Sequence, residues 1–174
     1  MRRKSQAAEQ FIDGLTAHIE GHVLRQKKSY GKRESEIQRG LYPLIVEYVA
    51  KHYRQAGYKN PQRKAAEAVY WEGQDGSSKD PKVSVFAARA YPDFIIREPY
   101  RIAIEYKQSR SGSLVKRCIG QGLMYIMSED YDFAYLLFDD QSKNKAILKS
   151  MAHPREKSIA LRMWRDFNMK MQVL

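Results

Sequence analysis

The chain of 174 residues has little cysteine and no long apolar run. Both shortages exclude certain classes of protein. Its single cysteine, Cys118, excludes an intramolecular disulfide framework and a cysteine-based zinc finger, as is typical of proteins from a reducing compartment. Its apolar runs are only a few residues long, whereas a membrane-spanning helix needs about 20. Glu9 and Asp13 interrupt the apolar stretch that a signal peptide would need. We therefore expect a cytoplasmic, intracellular protein with no membrane partner.

Acidic residues are scarce relative to basic ones. Twenty Asp and Glu face 31 Lys and Arg, which leaves a net charge of +11. Such a positive surface favours a polyanionic partner, with nucleic acid ahead of a membrane. A chain with 43% hydrophobic residues and this length is typical of one folded domain. We predict a single domain in which residues 1–33, with eight basic and three acidic side chains, form a basic N-terminal helix or extension and residues 34–174 form the core.

The spacing of apolar residues changes along the chain from helical to strand-like and back. Helical spacing predicts helices in the first thirty residues and over 34–57, and Pro43 predicts a kink or two abutting helices in the second. Strand-like segments follow, separated by a turn-rich loop at 73–82. The predicted strands are 68–71, 83–86, 93–96, 101–107 and 133–138, and residues 168–173 are predicted as a last strand or tail. Two further helices are predicted at 113–127, with Ser113 as N-cap, and at 154–164. This order predicts a mixed α/β sheet flanked by helices.

Two carboxylates and a lysine form the densest chemical signal. Glu105 and Lys107 share one face of the predicted strand, because successive side chains alternate. If residues 98–100 form a three-residue turn, counting back along both strands places Asp93 opposite Glu105, with Cβ atoms about 5 Å apart. Two such carboxylates repel each other and are costly to desolvate unless a cation lies between them.

The ligand type indicates which cation and which chemistry. Oxygen ligands from Asp93 and Glu105, with no Cys or His nearby in sequence, favour Mg²⁺ or Mn²⁺ over zinc. A divalent ion can bind a phosphate oxygen and lower the pKa of a bound water, and Lys107 can orient that water or share the anionic charge. The residues therefore predict phosphodiester hydrolysis. An isolated acidic residue at a strand end, beside a solvated Glu105–Lys107 ion pair, is the simpler alternative.

At these positions the sequence resembles the PD-(D/E)XK nuclease superfamily, whose signature is Pro-Asp at one strand end and Glu-x-Lys on the next strand. Pro92-Asp93 and Glu105-Tyr106-Lys107 match it. The resemblance implies a restriction-endonuclease-like α/β fold, with residues 34–174 as the nuclease core. It also implies that Asp93, Glu105 and the backbone carbonyl of Tyr106 bind the metal. The implied activity is that of a Mg²⁺- or Mn²⁺-dependent deoxyribonuclease that acts as an endonuclease, and DNA is favoured over RNA on this ground alone.

Two further motifs extend the resemblance. Residues 34–38 resemble the Glu-x-x-Ile-Gln opening of the VRR-type nucleases, which makes Glu34 a metal ligand or a support for one; a simple helix-start role stays open. Residues 121–125 fit the Gln-x-x-x-Tyr motif of many superfamily members, which implies that Gln121 orients the attacking water or holds a phosphate; purely structural hydrogen bonds are the alternative. The residues predicted to contact nucleic acid are Arg110, Lys116, Arg117 and Tyr125.

Other functions and other residues stay open at this stage. The main alternative is a non-catalytic nucleic-acid-binding protein with a nuclease-like fold, and a basic structural protein of a larger assembly is a third class. A homodimer would account for cleavage of both strands of DNA, since one such site cuts one strand at a time. His18 and His22 lie four residues apart and could share a metal, but without a further ligand we interpret them as ordinary helix residues. Cys118 is interpreted as a core residue.

Overall fold

A computed structural model describes residues 5–25, 33–73, 83–85 and 88–174. Within these ranges the chain forms six α-helices and seven β-strands. In chain order they are α1 Gln6–Arg25, α2 Glu34–Gln55, α3 Pro61–Ala68, β1 Val69–Trp71, β2 Val83–Val85, β3 Ala88–Ala90, β4 Phe94–Ile96, β5 Ile102–Ser109, α4 Gly112–Met127, β6 Phe133–Asp140, α5 Ala146–Ala152, α6 Pro154–Phe167 and β7 Met169–Val173.

Five of the strands form one mixed sheet in the order β1-β4-β5-β6-β7. The pairs β1/β4 and β4/β5 are antiparallel, whereas β5/β6 and β6/β7 are parallel. Each parallel pair needs a crossover, which α4 supplies between β5 and β6, and α5 with α6 between β6 and β7. A separate β2-β3 hairpin contacts α4. The predicted mixed α/β class is therefore confirmed.

The central strand β5 separates two hydrophobic layers. Its side chains alternate, so that Ile104 and Tyr106 pack with α1 and α2 while Ala103 packs on the opposite face with α4. Because both faces are covered, most of β5 and all of β6 are buried. The buried side chains of α1, among them Phe11 and Leu15, belong to the same core cluster as α2 and the sheet. The basic N-terminal helix is thus part of the core.

Two details of the predicted helices are decided by the structure. The segment containing Pro43 forms one helix, α2, so the alternative of two abutting helices is wrong. Pro43 lies on the exposed face, where water can solvate the carbonyl that loses its backbone partner. The N-cap of α4 is Ser111 and not Ser113, because the helix begins at Gly112, and the two serine hydroxyls lie 2.8 Å apart.

Three short elements were not predicted from the sequence. The helix α3 buries only Ala65 and Ala68 among its residues, so it lacks an apolar stripe that would indicate a helix. The helix α5 is seven residues long, which is too short for helical periodicity, and β3 is an Ala-Arg-Ala segment of low strand propensity. These elements form against neighbouring ones: α3 contacts α2, α5 contacts α6, and β3 pairs with β2.

Some sequence-based expectations fall outside the described residues, among them most of the predicted loop at 73–82 and the end of the predicted strand at 83–86. Among the described helices, none combines the length and hydropathy needed to cross a membrane.

Candidate active site

The Lys107 ammonium lies among three carboxylates at the C-terminal half of β5. Its Nζ is 3.1 Å from Glu105 Oε1, 3.2 Å from Glu34 Oε1 and 3.4 Å from Asp93 Oδ2. These four residues, separated by up to 73 positions in sequence, were all predicted as site residues, and the fold brings them together. Asp93 and Glu105 are buried, whereas the side chains of Lys107 and Glu34 are 24% and 37% exposed, so the cluster opens to solvent on the Glu34 side.

Strand register positions Asp93. The pairs Phe94–Ile104 and Ile96–Ile102 define an antiparallel register that places Asp93, one residue before β4, opposite Glu105. The predicted register across the 98–100 turn is therefore confirmed. The Tyr106 backbone N–H donates to Asp93 Oδ2 at 2.7 Å, which fixes the carboxylate against the central strand.

Glu34 reaches the cluster from the opposite layer. It is the first residue of α2, which packs on the face of the sheet opposite α4. One carboxylate oxygen bonds Lys107, and the Gln108 backbone N–H donates to the other at 3.4 Å. Glu34 therefore does more than begin a helix, because its side chain contacts the predicted site.

Gln121 and Tyr125 approach Glu105 from α4. The Tyr125 hydroxyl donates to Glu105 Oε2 at 2.7 Å, and the Gln121 side chain also hydrogen bonds to this carboxylate. Tyr125 is fully buried, so the prediction that it contacts nucleic acid is wrong; its hydroxyl instead orients Glu105. Gln121 Oε1 is buried without a hydrogen-bond partner, which leaves an acceptor free beside the carboxylates.

Helix α4 can tolerate close contact with the sheet because of Gly122. A Cβ at this position would come within 2.9 Å of Met169 Sδ and 3.0 Å of a Leu136 methyl. A Cβ at Gly120, by contrast, would meet nothing within 4 Å. The close approach of α4 to the sheet therefore depends on Gly122 and not on Gly120.

The pKa values of the cluster are shifted because buried carboxylates lie close together. Burial and the Glu105 charge raise the pKa of Asp93 to about 7, against the opposing effect of Lys107. Burial likewise raises the pKa of Glu105, although Lys107 and the Tyr125 hydrogen bond oppose the shift. Burial lowers the pKa of Lys107, but the three carboxylates around it raise that pKa by more than burial lowers it. The pKa of Lys107 is therefore above its usual value. Lys107 therefore stays charged and offsets part of the carboxylate repulsion.

A fourth carboxylate, Glu72, was missed by the sequence-based prediction. The β1/β4 register places it opposite Asp93, and its backbone N–H donates to the Asp93 carbonyl at 3.0 Å. Burial and the Asp93 charge raise the pKa of Glu72, while Lys107 lowers it. The signal in the sequence is weak, because Glu72 directly follows a three-residue strand whose partner becomes evident only from the sheet order.

The other residues predicted to contact nucleic acid lie at the surface. Arg110, Lys116 and Arg117 are all exposed, and Arg117, Gln121 and Tyr125 follow one row of α4 from solvent to the buried Glu105. The Tyr106 carbonyl stays a predicted ligand. Cys118 is fully buried and burial raises the pKa of its thiol, which fits a core residue.

Comparisons with known proteins identify no relative, since no family model, no curated protein and no solved structure matches the chain.

Proposed function

We propose that this chain is a Mg²⁺- or Mn²⁺-dependent deoxyribonuclease that hydrolyses phosphodiester bonds. The observation that carries the proposal is the convergence of three carboxylates, from Asp93, Glu105 and Glu34, within 3.4 Å of Lys107 Nζ. A surface salt bridge leaves two facing buried carboxylates unexplained, whereas carboxylate oxygens are ordinary ligands of a bound divalent metal.

The donor set suits a hard divalent cation. Its three carboxylates supply oxygen ligands, and at full ionisation they carry two more negative charges than Lys107 neutralises. Asp93 and Glu105 are the main ligands in this proposal, with the Tyr106 carbonyl and Glu34 completing the set. A bound ion would supply Lewis-acid activation of water and charge stabilisation at the phosphate.

The protein's own groups can hold and orient the reactants. Gln121 Oε1, a buried acceptor without a partner, is placed to accept a hydrogen bond from the attacking water. Lys107 Nζ lies at the partly exposed side of the cluster, where it can donate to a phosphate oxygen or orient that water. Tyr125 acts through Glu105 by fixing its carboxylate, and is a positioning residue.

The basic surface supports binding of a polyanion. Arg110, Lys116 and Arg117 are exposed on the segment that follows β5, and the whole chain carries a net charge of +11. Contacts of these side chains to phosphates would make binding fall steeply with salt. DNA is preferred to RNA on the resemblance to the PD-(D/E)XK nucleases. We further propose a homodimer, which would allow cleavage of both strands. Measurement of the mass in solution tests this part of the proposal.

A cleavage assay tests the proposal. Plasmid, single-stranded and branched DNA, and a matched RNA, are incubated with Mg²⁺, Mn²⁺ or EDTA and with wild type, Asp93→Asn or Glu105→Gln. Glu67→Gln serves as the control, because Glu67 is an exposed carboxylate that pairs with Arg63 on α3. We expect metal-dependent cleavage by wild type and Glu67→Gln, and a loss of about 100-fold or more in both site variants.

Three outcomes would contradict parts of the proposal. Cleavage that survives Asp93→Asn would reject the site, and cleavage in EDTA would reject the metal requirement. Tight DNA binding with no cleavage of any substrate would favour the alternative, a non-catalytic nucleic-acid-binding protein.

A further inference from the structure

A second cluster of metal-ligating side chains lies between α1 and α2. His18 and His22 occupy adjacent turns of α1, and Glu47 faces them from α2. One ligand atom from each residue can be chosen so that all three atoms lie within 4.8 Å of one another. The sequence shows the two histidines but cannot identify the third ligand, because Glu47 reaches them only when the helices pair.

Close helix packing brings the three side chains together. A Cβ at Gly14 would overlap the Tyr48 hydroxyl, so the glycine allows α1 to approach α2 closely one turn before His18. The Tyr48 hydroxyl donates to the Phe11 carbonyl at 2.8 Å, which fixes the relative position of the two helices. The His18 ring then lies against Tyr48 and against His22, with centroid separations of 5.6 and 4.7 Å.

One ring nitrogen in this cluster is unsatisfied. His18 Nε2 is buried and has no hydrogen-bond partner, and Glu47 Oε2 lies 3.8 Å away, beyond hydrogen-bond distance. Buried polar atoms normally have a partner, so this nitrogen indicates a missing one. The groups around the imidazole are His22, Glu47, Lys51 and the Leu44 backbone. Burial is the main cause that lowers the pKa of His18, which favours the neutral form that binds metals.

We propose that His18, His22 and Glu47 bind a zinc ion. Two imidazole nitrogens and one carboxylate form a donor set that zinc uses, and nitrogen donors select against Mg²⁺. Ligand atoms around a tetrahedral zinc lie roughly 3.3–3.5 Å apart, given metal–ligand distances of about 2.0–2.2 Å. Binding therefore requires side-chain rotations that bring the ligand atoms closer than the 4.8 Å observed. The partly exposed His22 and the exposed Glu47 leave room for water as the fourth ligand.

This zinc site is separate from the candidate active site. Glu47 follows Glu34 by thirteen positions in α2, a distance of about 20 Å along a helix. Zinc bound by ligands from both helices would link α1 to α2, the helix whose first residue is Glu34. Because the ion binds the folded helix pair, it stabilises the native state by mass action. The proposal does not depend on nuclease activity.

Zinc binding by the full chain without an affinity tag tests the inference. Metal-free protein is titrated with Zn²⁺ by calorimetry, and with Co²⁺ by visible absorption, which reports tetrahedral nitrogen and oxygen coordination. The test variants are His22→Ala and Glu47→Gln, at positions that are not fully buried, and far-UV circular dichroism checks that they fold. With excess Mg²⁺ present to occupy the carboxylates of the candidate active site, we expect one zinc ion per wild-type chain and affinity reduced by about tenfold or more in each variant.

Two control variants locate the ion. His153→Asn removes an exposed histidine that caps α6, and Asp93→Asn changes the candidate active site. Both are expected to bind zinc as wild type does. The proposal is overturned by the absence of one-to-one binding, by unchanged affinity in His22→Ala or Glu47→Gln, or by a loss confined to Asp93→Asn.

Discussion

The Tyr125 hydroxyl donates a hydrogen bond to Glu105 Oε2 at 2.7 Å, between two buried side chains. Lys107 contacts the other carboxylate oxygen at 3.1 Å, so both oxygens of Glu105 are held. Helix α4 thus sets the orientation of a carboxylate that belongs to the central strand of the sheet.

Tyr125→Phe should lower both the Mg²⁺ affinity and the cleavage rate by about 10-fold or more, because Glu105 loses the donor that orients it. The loss should also cost about 1.5–3 kcal/mol of stability. Tyr53→Phe is the matched control, since the buried Tyr53 donates to the Glu98 carbonyl far from the carboxylates along the sheet. Full activity in Tyr125→Phe, measured at saturating and limiting Mg²⁺, would show that Glu105 needs no support from α4.

Lys107→Met should destabilise the metal-free protein by about 1–3 kcal/mol, because it leaves three carboxylates without their shared cation. Excess Mg²⁺ should then raise the thermal midpoint of the variant more than that of wild type. Lys64→Met, which breaks a pair with Glu98 on the surface, controls for loss of a lysine and should show no such Mg²⁺ dependence. Equal Mg²⁺ responses in both variants would argue against a shared cation site.

Glu72→Gln should raise the Mg²⁺ concentration needed for half-maximal cleavage by up to about tenfold, with the maximal rate retained. Glu72 lies opposite Asp93 and adds negative charge near the cluster. The salt bridges of Lys107 in the described part of the chain are with the other three carboxylates. A Mg²⁺ titration of cleavage measures the effect, with Glu67→Gln as the exposed control. An unchanged titration curve would remove Glu72 from the site.

In the metal-free protein, the contribution of Asp93 to stability should be lost as pH rises from about 4 to about 7. The pKa of Asp93 rises from 3.8 to about 7 on folding, so the folded state holds a proton that the unfolded state has released. This contribution is complete below the unfolded pKa and is lost through the folded one, and the raised pKa of Glu105 acts in the same direction. Urea unfolding across this range should show a weaker pH dependence in Asp93→Asn. A wild-type curve that matches the variant would contradict the raised pKa.

Gly120 and Gly122 of α4 should respond to alanine in opposite directions. Gly122→Ala should cost about 1–3 kcal/mol, because the new Cβ overlaps Met169 and Leu136. Gly120→Ala should gain up to about 1 kcal/mol from helix propensity, since it meets nothing within 4 Å. Urea denaturation of both variants compares them directly. Similar stabilities would mean that α4 does not pack on the sheet at Gly122.

The sequence by itself determined the local part of this arrangement. Periodicity identified the longer helices and strands, and the two-residue alternation with a three-residue turn placed Asp93 opposite Glu105, because hairpin register follows from local chain geometry. The motif resemblance further singled out Glu34 and Gln121, which the fold brings to the same carboxylates.

Only the tertiary structure decided which residues from distant segments meet. Glu72 faces Asp93 because β1 pairs with β4, Tyr125 is buried against Glu105 because α4 packs on β5, and Glu47 meets His18 because α1 and α2 approach at Gly14. None of these contacts follows from periodicity, which fixes the face on which a side chain lies but not the element that covers that face. Sheet order and helix packing supply that choice, since they depend on how the whole core closes.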